Sequence, residues 1–250
     1  ELAGSEHADE LRRMAYVYGF DEVDPDKFEL MREQFGVIRD EFGVPTMTTG
    51  HVPLETQTLD DLNIDWLCPI LHVFTGKGMY EQAQRVRDTA HEVWSYVSLQ
   101  PYPPFPNWRM DNPLVEARAI WWIAHHQQFD GFLYWHLNAW YRPGNDRPID
   151  PEADGPRLEW SITTAPSHPW LHGDGMLIYP GVDGPIGCIR LANIRDGLED
   201  WEYLWLLAQR EGVEAAREAC QVVTRAPNDY TRDPDVLAAR RRAIARRIER

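Results

Sequence analysis

The amino-acid sequence predicts an α/β fold that contains the later half of a (β/α)8 TIM barrel, strands 4–8. Runs of β-branched and aromatic residues alternate with segments of helical periodicity, which is the pattern of βαβ units around a parallel sheet. Five strands are predicted within residues 16–137, whereas a complete barrel takes roughly 250 residues of repeats. The chain has 250 residues and its C-terminal part follows another pattern. We therefore expect it to lack the first barrel strands.

The predicted strands and helices follow one another in a regular order. Asp24 as N-cap and Pro25 as the first helical residue indicate where the first helix begins. A later, strongly apolar helix is expected to open at Asp111 or Asn112. The strands are predicted at residues 16–20, 44–52, 64–69, 93–99 and 132–137. The helices are predicted at residues 25–42, 80–92 and 113–129, with a helical turn at 58–62.

The pattern changes after the fifth strand. Residues 142–172 are polar and rich in proline, and they are predicted to form a long loop. A hairpin-like stretch at residues 175–181, a strand at 186–191 and helices at 193–210, 213–225 and 234–250 follow. We therefore predict a half-barrel domain at residues 1–172 and a small extension of strands and helices at residues 173–250.

Composition excludes several classes of partner and site. The formal net charge is −15, and basic runs occur only in the C-terminal helix, which argues against nucleic acid and anionic membranes as partners. No run of about 18 apolar residues predicts a membrane span. The three cysteines, Cys68, Cys188 and Cys220, are far apart, and no histidine spacing matches a metal-binding helix. No metal or other cofactor is predicted, and nothing indicates the oligomeric state.

The N-terminus carries neither a start methionine nor a signal peptide. The expectation from this is that the sequence is a piece of a longer chain. Localisation therefore cannot be deduced directly from these residues.

The strongest candidate for a functional site is the acid pair Asp21-Glu22. It follows an aromatic and β-branched run at residues 16–20 and precedes the helix start at Asp24-Pro25. Active sites of parallel α/β proteins gather at this carboxyl end of the strands. Adjacent strand residues point to opposite faces, so both acids can serve one site only if the chain leaves strand geometry there. Alternatively, they are loop acids that favour the helix N-terminus.

Four stretches of the chain, within roughly residues 14–207, resemble the catalytic domain of glycoside hydrolase family 123 and the related domain-of-unknown-function family 4091. The longest lies in the C-terminal part, and the other three lie at strand ends. They are the strand ending in Asp21-Glu22, Pro106-Asn107 with Glu116-Ala117-Arg118, Gly131-Phe132-Leu133-Tyr134-Trp135 with Asn138-Ala139-Trp140, and Gly173-Asp174-Gly175 through Tyr179-Pro180-Gly181 to Ile194-Arg195-Asp196-Gly197-Leu198-Glu199-Asp200-Trp201-Glu202-Tyr203.

The resemblance implies a bacterial β-N-acetylgalactosaminidase or β-N-acetylhexosaminidase, secreted or periplasmic, that acts with retention through substrate assistance. Such enzymes use no protein nucleophile, because the 2-acetamido oxygen of the substrate attacks the anomeric carbon. Asp21 is then expected to orient the acetamido group and to stabilise the oxazolinium charge. Glu22 is expected to be the general acid and base, its pKa raised by the neighbouring carboxylate and by partial burial.

Five further residues are candidates for contacts with a sugar, each with a structural alternative. Trp135 and Trp140 flank a strand end and could form an aromatic platform, or could belong to the core and its cap. Asn107 and Asn138 could bind hydroxyl groups or hold turns. Tyr96 could reach the acetamido group or pack in the core. The charged series Arg195, Asp196, Glu199 and Asp200 has helical spacing, which indicates an internal ion-pair lattice.

Two other classes of function remain open. The chain could be a non-catalytic carbohydrate-binding or inactive relative, or a glycosidase of different sugar specificity. It could also be a half-domain that folds only with further barrel strands. A binding module should keep its affinity when both acids are removed, and an isolated half-barrel should aggregate. The natural glycan, its linkage and the preference for galactose or glucose configuration are not encoded in any recognisable motif.

Overall fold

The computed structural model describes residues 7–139, 141–142, 145–148 and 172–249. The chain forms two compact units. One comprises residues Glu1–Tyr96 and Phe129–Leu133, and the other comprises Val97–Gln128 and Tyr134–Arg250. Among the described residues, no helix has both the length and the apolar character needed to cross a membrane.

The first unit is built around a parallel sheet of five strands. The strands lie in chain order, β1-β2-β3-β4-β5, and the first four pair in parallel, with Val17 opposite Thr46 and Met47 opposite Trp66. The strands are β1 (Val17–Tyr18), β2 (Thr46–Thr49), β3 (Trp66–Cys68), β4 (Glu92–Val97) and β5 (Gly131–Tyr134). The predicted α/β class is confirmed, and the sheet is compatible with part of a TIM barrel. The strand numbers 4–8 and the boundary at residue 172 stay predictions.

Helices precede and connect these strands. They are α1 (Ala8–Met14), α2 (Phe28–Phe42) after a 3-10 turn at Pro25–Lys27, α3 (Thr56–Asp61), a 3-10 helix at Leu71–Thr75, and α4 (Met79–Arg87). In α2, Met31 and Phe35 are buried one turn apart. The helix ends where Gly43 adopts a left-handed conformation, with φ 60°, as is common at helix C-termini. The core of this unit contains Met47, Cys68 and Tyr96 from β2, β3 and β4.

The second unit is mainly helical. Its elements are α5 (Glu116–Gln127), β6 (Tyr141–Arg142), β7 (Asn145–Pro148), β8 (Ile178–Tyr179), β9 (Ile186–Gly187), α6 (Ile189–Glu211), α7 (Val213–Cys220), β10 (Thr224–Ala226), β11 (Asp229–Tyr230) and α8 (Pro234–Ile248). Its core includes Trp122, Leu204 and Leu207. The fully buried carboxylate of Asp200 on α6 accepts hydrogen bonds from Arg118 and from the Trp122 indole on α5. Within the expected ion-pair series, Arg195 pairs with Asp196 and Glu199. Asp200 pairs instead with Arg118 of α5 and so joins the two helices.

Several predicted boundaries are wrong, each for a local reason. Asp24 precedes Pro25 as expected, but its side chain makes no capping hydrogen bond. Helix α4 ends at Arg87 and not at residue 92, because Glu92 pairs with β3 as the first residue of β4. Helix α5 begins only at Glu116. Neither Asp111 nor Asn112 caps it, since Val115 is the N-cap residue and Asn112 donates to the Glu116 carboxylate.

The C-terminal part departs further from the prediction. Residues 189–191 were expected to extend a strand, but Ile189 opens α6 and the strand is limited to Ile186–Gly187. The helix predicted at residues 213–225 ends at Cys220, and an antiparallel pair, β10 and β11, follows it. The segment predicted as a loop after residue 142 contributes β7 to another antiparallel pair.

Candidate active site

The acid pair Asp21-Glu22 follows strand β1, at the carboxyl end of the parallel sheet. The last backbone contact of this strand with β2 is the hydrogen bond from Gly19 N to Met47 O, at 3.0 Å. Phe20 and Glu22 then adopt positive φ angles of 60° and 48°, a conformation that costs non-glycine residues about 1–3 kcal/mol. The chain has therefore left strand geometry, which is the condition under which both acids can serve one site.

Neighbouring strand β2 holds this backbone in place. The Thr48 hydroxyl donates to the carbonyl oxygen of Phe20. Gly50, just past the end of β2, has φ 95° and lies directly against Glu22. A Cβ atom at position 50 would be 2.5 Å from the Glu22 Cα atom. Only glycine at position 50 allows these two backbone segments to approach so closely.

Two hydroxyl groups orient the Asp21 carboxylate. Tyr18 donates to Asp21 Oδ1 at 2.6 Å, and Thr49 donates to the same oxygen at 2.7 Å. The Thr49 oxygen also accepts a hydrogen bond from the Glu22 backbone N–H, at 3.3 Å. Since Tyr18 ends β1 and Thr49 ends β2, the two strand ends together hold the carboxylate.

The Glu22 carboxylate has a different partner. The Tyr96 hydroxyl on β4 donates to Glu22 Oε1, so the side chains of both acids bond to groups of the same parallel sheet. Burial is the main reason that the pKa of Tyr96 is raised well above its ordinary value, and the hydrogen bond to Glu22 adds to it. Burial likewise raises the pKa of Tyr18, reinforced by its hydrogen bond to Asp21. Both phenols therefore remain neutral hydrogen-bond donors at physiological pH.

Two of the three groups that hold the acids are buried, and the third, Tyr18, is 43% exposed. Thr49 is 2% exposed and Tyr96 is 4% exposed, whereas Asp21 and Glu22 are both exposed. The partial burial expected for Glu22 is therefore wrong, because its side chain lies on the open side of the Tyr96 hydroxyl. Two accessible carboxylates are thus held by the hydroxyl groups of Tyr18, Thr49 and Tyr96.

Trp135 lies in the second unit and combines rigidity with exposure. Its indole Nε1 donates to the Asp174 carboxylate at 3.0 Å, and its ring packs so closely on Gly175 that a Cβ there would be 2.6 Å away. Asp174 itself is 2% exposed, while Trp135 is 43% exposed. The Gly173-Asp174-Gly175 turn thus fixes an aromatic ring that remains open to solvent. The role of Trp135 as a sugar platform stays a prediction.

The other three candidates have different surroundings. Asn107 is almost fully buried, and its side chain bonds to the backbone of its own loop: Nδ2 donates to Ser98 O and Pro101 O, and Oδ1 accepts from Trp108 N. These bonds favour the alternative that Asn107 holds the loop. Asn138 is exposed, and its backbone N–H donates to His136. Trp140 lies outside the described residues.

Sequence reasoning missed Tyr18, Thr49 and Gly50. Tyr18 lies three residues before Asp21, and Thr49-Gly50 ends the next strand along the chain. The general signal was available, because hydroxyl residues and glycine at a strand end are typical of a site. Only the register between β1 and β2 could show which of these residues meet the acids.

Comparison with known families identifies the domain. The model of the glycoside hydrolase 123 catalytic domain matches residues 11–207 of the chain. The chain belongs to this family. A comparison with curated proteins gives no significant match. The match includes both the acid pair and the charged series on α6, so the domain is a glycoside hydrolase domain by family, and a carbohydrate substrate follows from that membership.

The family-123 domain thus contains two carboxylates with distinct partners in one corner of the sheet. Asp21 Oδ1 is occupied by two hydroxyl donors, and Glu22 Oε1 by one. Among the described residues, no group of three or more histidine, cysteine or acidic side chains is arranged to hold a metal ion. The chemistry open to these residues is acid–base catalysis and stabilisation of positive charge.

Proposed function

We propose that this domain is a retaining β-N-acetylgalactosaminidase or β-N-acetylhexosaminidase that uses the 2-acetamido group of its substrate as the nucleophile. The observation that carries the proposal is the pair of adjacent carboxylates held by different donors. Thr49 and Tyr18 fix Asp21, and Tyr96 contacts Glu22. Two adjacent acids with different hydrogen-bond partners can take different roles, one as proton donor and the other as hydrogen-bond acceptor.

In the first step, the acetamido oxygen attacks the anomeric carbon and the glycosidic C–O bond breaks. The Glu22 carboxyl group gives its proton to the departing oxygen. Positive charge develops on the acetamido carbon and nitrogen as the oxazolinium forms. The Asp21 carboxylate accepts a hydrogen bond from the acetamido N–H and stabilises that charge. Since Oδ1 of Asp21 already accepts from two hydroxyls, Oδ2 is the oxygen assigned to the substrate.

In the second step, water attacks the anomeric carbon and gives its proton to Glu22, now a carboxylate. The bond between the anomeric carbon and the acetamido oxygen breaks, which restores the acetamido group. Two inversions at one carbon retain the β configuration. Tyr96 is a neutral donor throughout, because its pKa is raised above its ordinary value. Its hydroxyl has one hydrogen, so we assign it to donate to Glu22 before the sugar binds and to the acetamido oxygen once the sugar is bound. Trp135 and Trp140 are proposed as aromatic contacts for a sugar.

The test compares acid variants on two 2-acetamido β-glycosides in the full-length protein, one with a good aryl leaving group and one with a poor alkyl leaving group. Glu22→Gln should lose at least ~100-fold in kcat/KM on the poor leaving group and much less on the aryl glycoside, which needs little protonation. Asp21→Asn should lose at least ~100-fold on both, since the oxazolinium charge arises with either leaving group.

The matched control is Asp24→Asn. Asp24 is exposed, lies in the same connection, and makes no capping hydrogen bond, so its activity should equal that of the parent. If neither acid variant differs from Asp24→Asn, the assignment of the acid pair is wrong. If the well-folded parent binds 2-acetamido sugars but cleaves none, the domain is a carbohydrate-binding relative instead.

A further inference from the structure

One buried hydroxyl group contacts both acids of the pair. Thr49 Oγ1 lies 2.7 Å from Asp21 Oδ1 and 3.3 Å from the backbone nitrogen of Glu22. The Tyr18 hydroxyl oxygen lies 3.0 Å from Thr49 Oγ1. Because Thr49 is the last residue of β2 and is 2% exposed, the sheet itself fixes the position of this hydroxyl.

The number of hydrogens on each group indicates the donors to Asp21 Oδ1. A threonine hydroxyl has one hydrogen and two lone pairs, and a tyrosine hydroxyl also has one hydrogen. An ionised carboxylate accepts only, so Thr49 and Tyr18 each give their hydrogen to Asp21 Oδ1. The Thr49 oxygen is then free to accept the Glu22 N–H. One side chain therefore fixes the carboxylate of Asp21 and, at the same time, the backbone of Glu22.

We propose that Thr49 is a positioning residue for the reaction, and that it acts mainly through Asp21. This inference rests on the proposed function. The Thr49 hydroxyl keeps Oδ1 of Asp21 turned toward the sheet, which leaves Oδ2 directed at the acetamido N–H. Its contact with the Glu22 N–H is longer, 3.3 against 2.7 Å, and supports the positive φ of that residue. Tyr18 assists from the neighbouring strand, with the second hydrogen bond to Oδ1.

The test is the variant Thr49→Val, which removes the hydroxyl and keeps the shape of the side chain. We expect kcat on a 2-acetamido β-glycoside to fall by about 10–100-fold with little change in KM, and by a similar factor for good and poor leaving groups. Thr49→Ser, which keeps the hydroxyl, should recover most of the activity. The matched control is Thr46→Val, a fully buried threonine at the opposite end of β2 whose hydroxyl bonds to Asn63 O.

Double-mutant cycles separate positioning from a general loss of structure. Thr49→Val should cost little further activity in the Asp21→Asn background, because the group that it positions is already changed. In the Glu22→Gln background, Thr49→Val should lower activity by nearly the same factor as it does in the parent. Equal effects in both backgrounds, or a Thr49→Val variant no worse than Thr46→Val, would overturn the proposal.

Binding provides a second readout that does not depend on turnover. A thiazoline analogue of the oxazolinium intermediate, measured by calorimetry, should bind at least about 10-fold more weakly to Thr49→Val than to Thr46→Val. If the parent neither binds the thiazoline nor cleaves the 2-acetamido substrate, the proposed function itself fails. If the parent does both and the two threonine variants behave alike, only the positioning role of Thr49 fails.

Discussion

Glycine, threonine and tyrosine at the strand ends determine how the two acids are presented. Asp21 and Glu22 are exposed, and neither could hold a fixed direction alone. The Thr49 and Tyr18 hydroxyls anchor one carboxylate, and the Tyr96 hydroxyl anchors the other. Gly50 provides the space into which the Glu22 backbone fits. Preorganised donors of this kind cost no reorganisation during the reaction.

The close approach at Gly50 leads to a prediction about catalysis. Gly50→Ala should lower kcat/KM by at least about 10-fold, since the new Cβ would lie 2.5 Å from the Glu22 Cα atom and must displace the acid. The control is Gly43→Ala, which shares a positive φ, 60°, but has no atom within 4 Å of the new Cβ. That variant should lose about 1 kcal/mol of unfolding free energy and keep its activity. Steady-state kinetics and urea unfolding measure both effects, and equal kcat/KM in the two variants would contradict the role of Gly50.

At the scale of elements, helix α5 carries two histidines into the interior of the second unit. His125 and His126 are 8% and 4% exposed. Burial lowers the pKa of each histidine to about 4. The neighbouring His126 also lowers the pKa of His125, and Arg217 also lowers that of His126. Both are therefore neutral in the folded protein at pH 6, where an unfolded chain already binds protons.

This difference predicts acid sensitivity. Well above pH 6.5, both histidines are uncharged in the folded and in the unfolded state, so they do not lower the free energy of unfolding there. As the pH falls from 6.5 toward 4, the unfolded chain gains protons that the folded helix excludes. The free energy of unfolding should fall by on the order of 2–3 kcal/mol for each histidine across this interval. Urea unfolding at pH 7, 5.5 and 4.5 measures the effect.

The control for this prediction is the exposed His51. The double variant His125→Gln/His126→Gln should flatten the decline between pH 6.5 and 4, whatever its stability at pH 7. His51→Gln should leave the decline unchanged, since His51 lies on the surface. A decline as steep in the double variant as in the parent would show that other groups cause the acid sensitivity.

At the scale of the whole molecule, the alternation of strands and helices was sufficient to predict the α/β class and five strands in order. Sequence periodicity gave the wrong secondary structure where tertiary packing overrides the local preference for strand or helix. The β-branched residues around Ile189 indicate a strand, yet Ile194, Leu204 and Leu207 farther along the same segment are buried as one face of helix α6. Short strands such as β10 and β11 have too few residues to show any period.

The candidate site was predictable only in part, for a related reason. The acid pair is marked by an abrupt change along the chain, from an aromatic run to two carboxylates. Its partners Thr49 and Tyr96 lie 27 and 74 residues from Glu22, and they meet it only through the register of parallel strands. Local sequence thus identifies the reactive groups, whereas the groups that orient them depend on tertiary pairing.

The central claim, that the substrate supplies the nucleophile, is tested most directly by changing one group on the sugar. Two aryl β-glycosides with the same leaving group, one with a 2-acetamido and one with a 2-hydroxyl substituent, are compared for kcat/KM in the full-length protein. We predict at least about 1000-fold faster cleavage of the 2-acetamido glycoside, because its oxygen is held at the anomeric carbon and no protein group replaces it. Comparable rates for the two glycosides would contradict substrate assistance and indicate a carboxylate nucleophile.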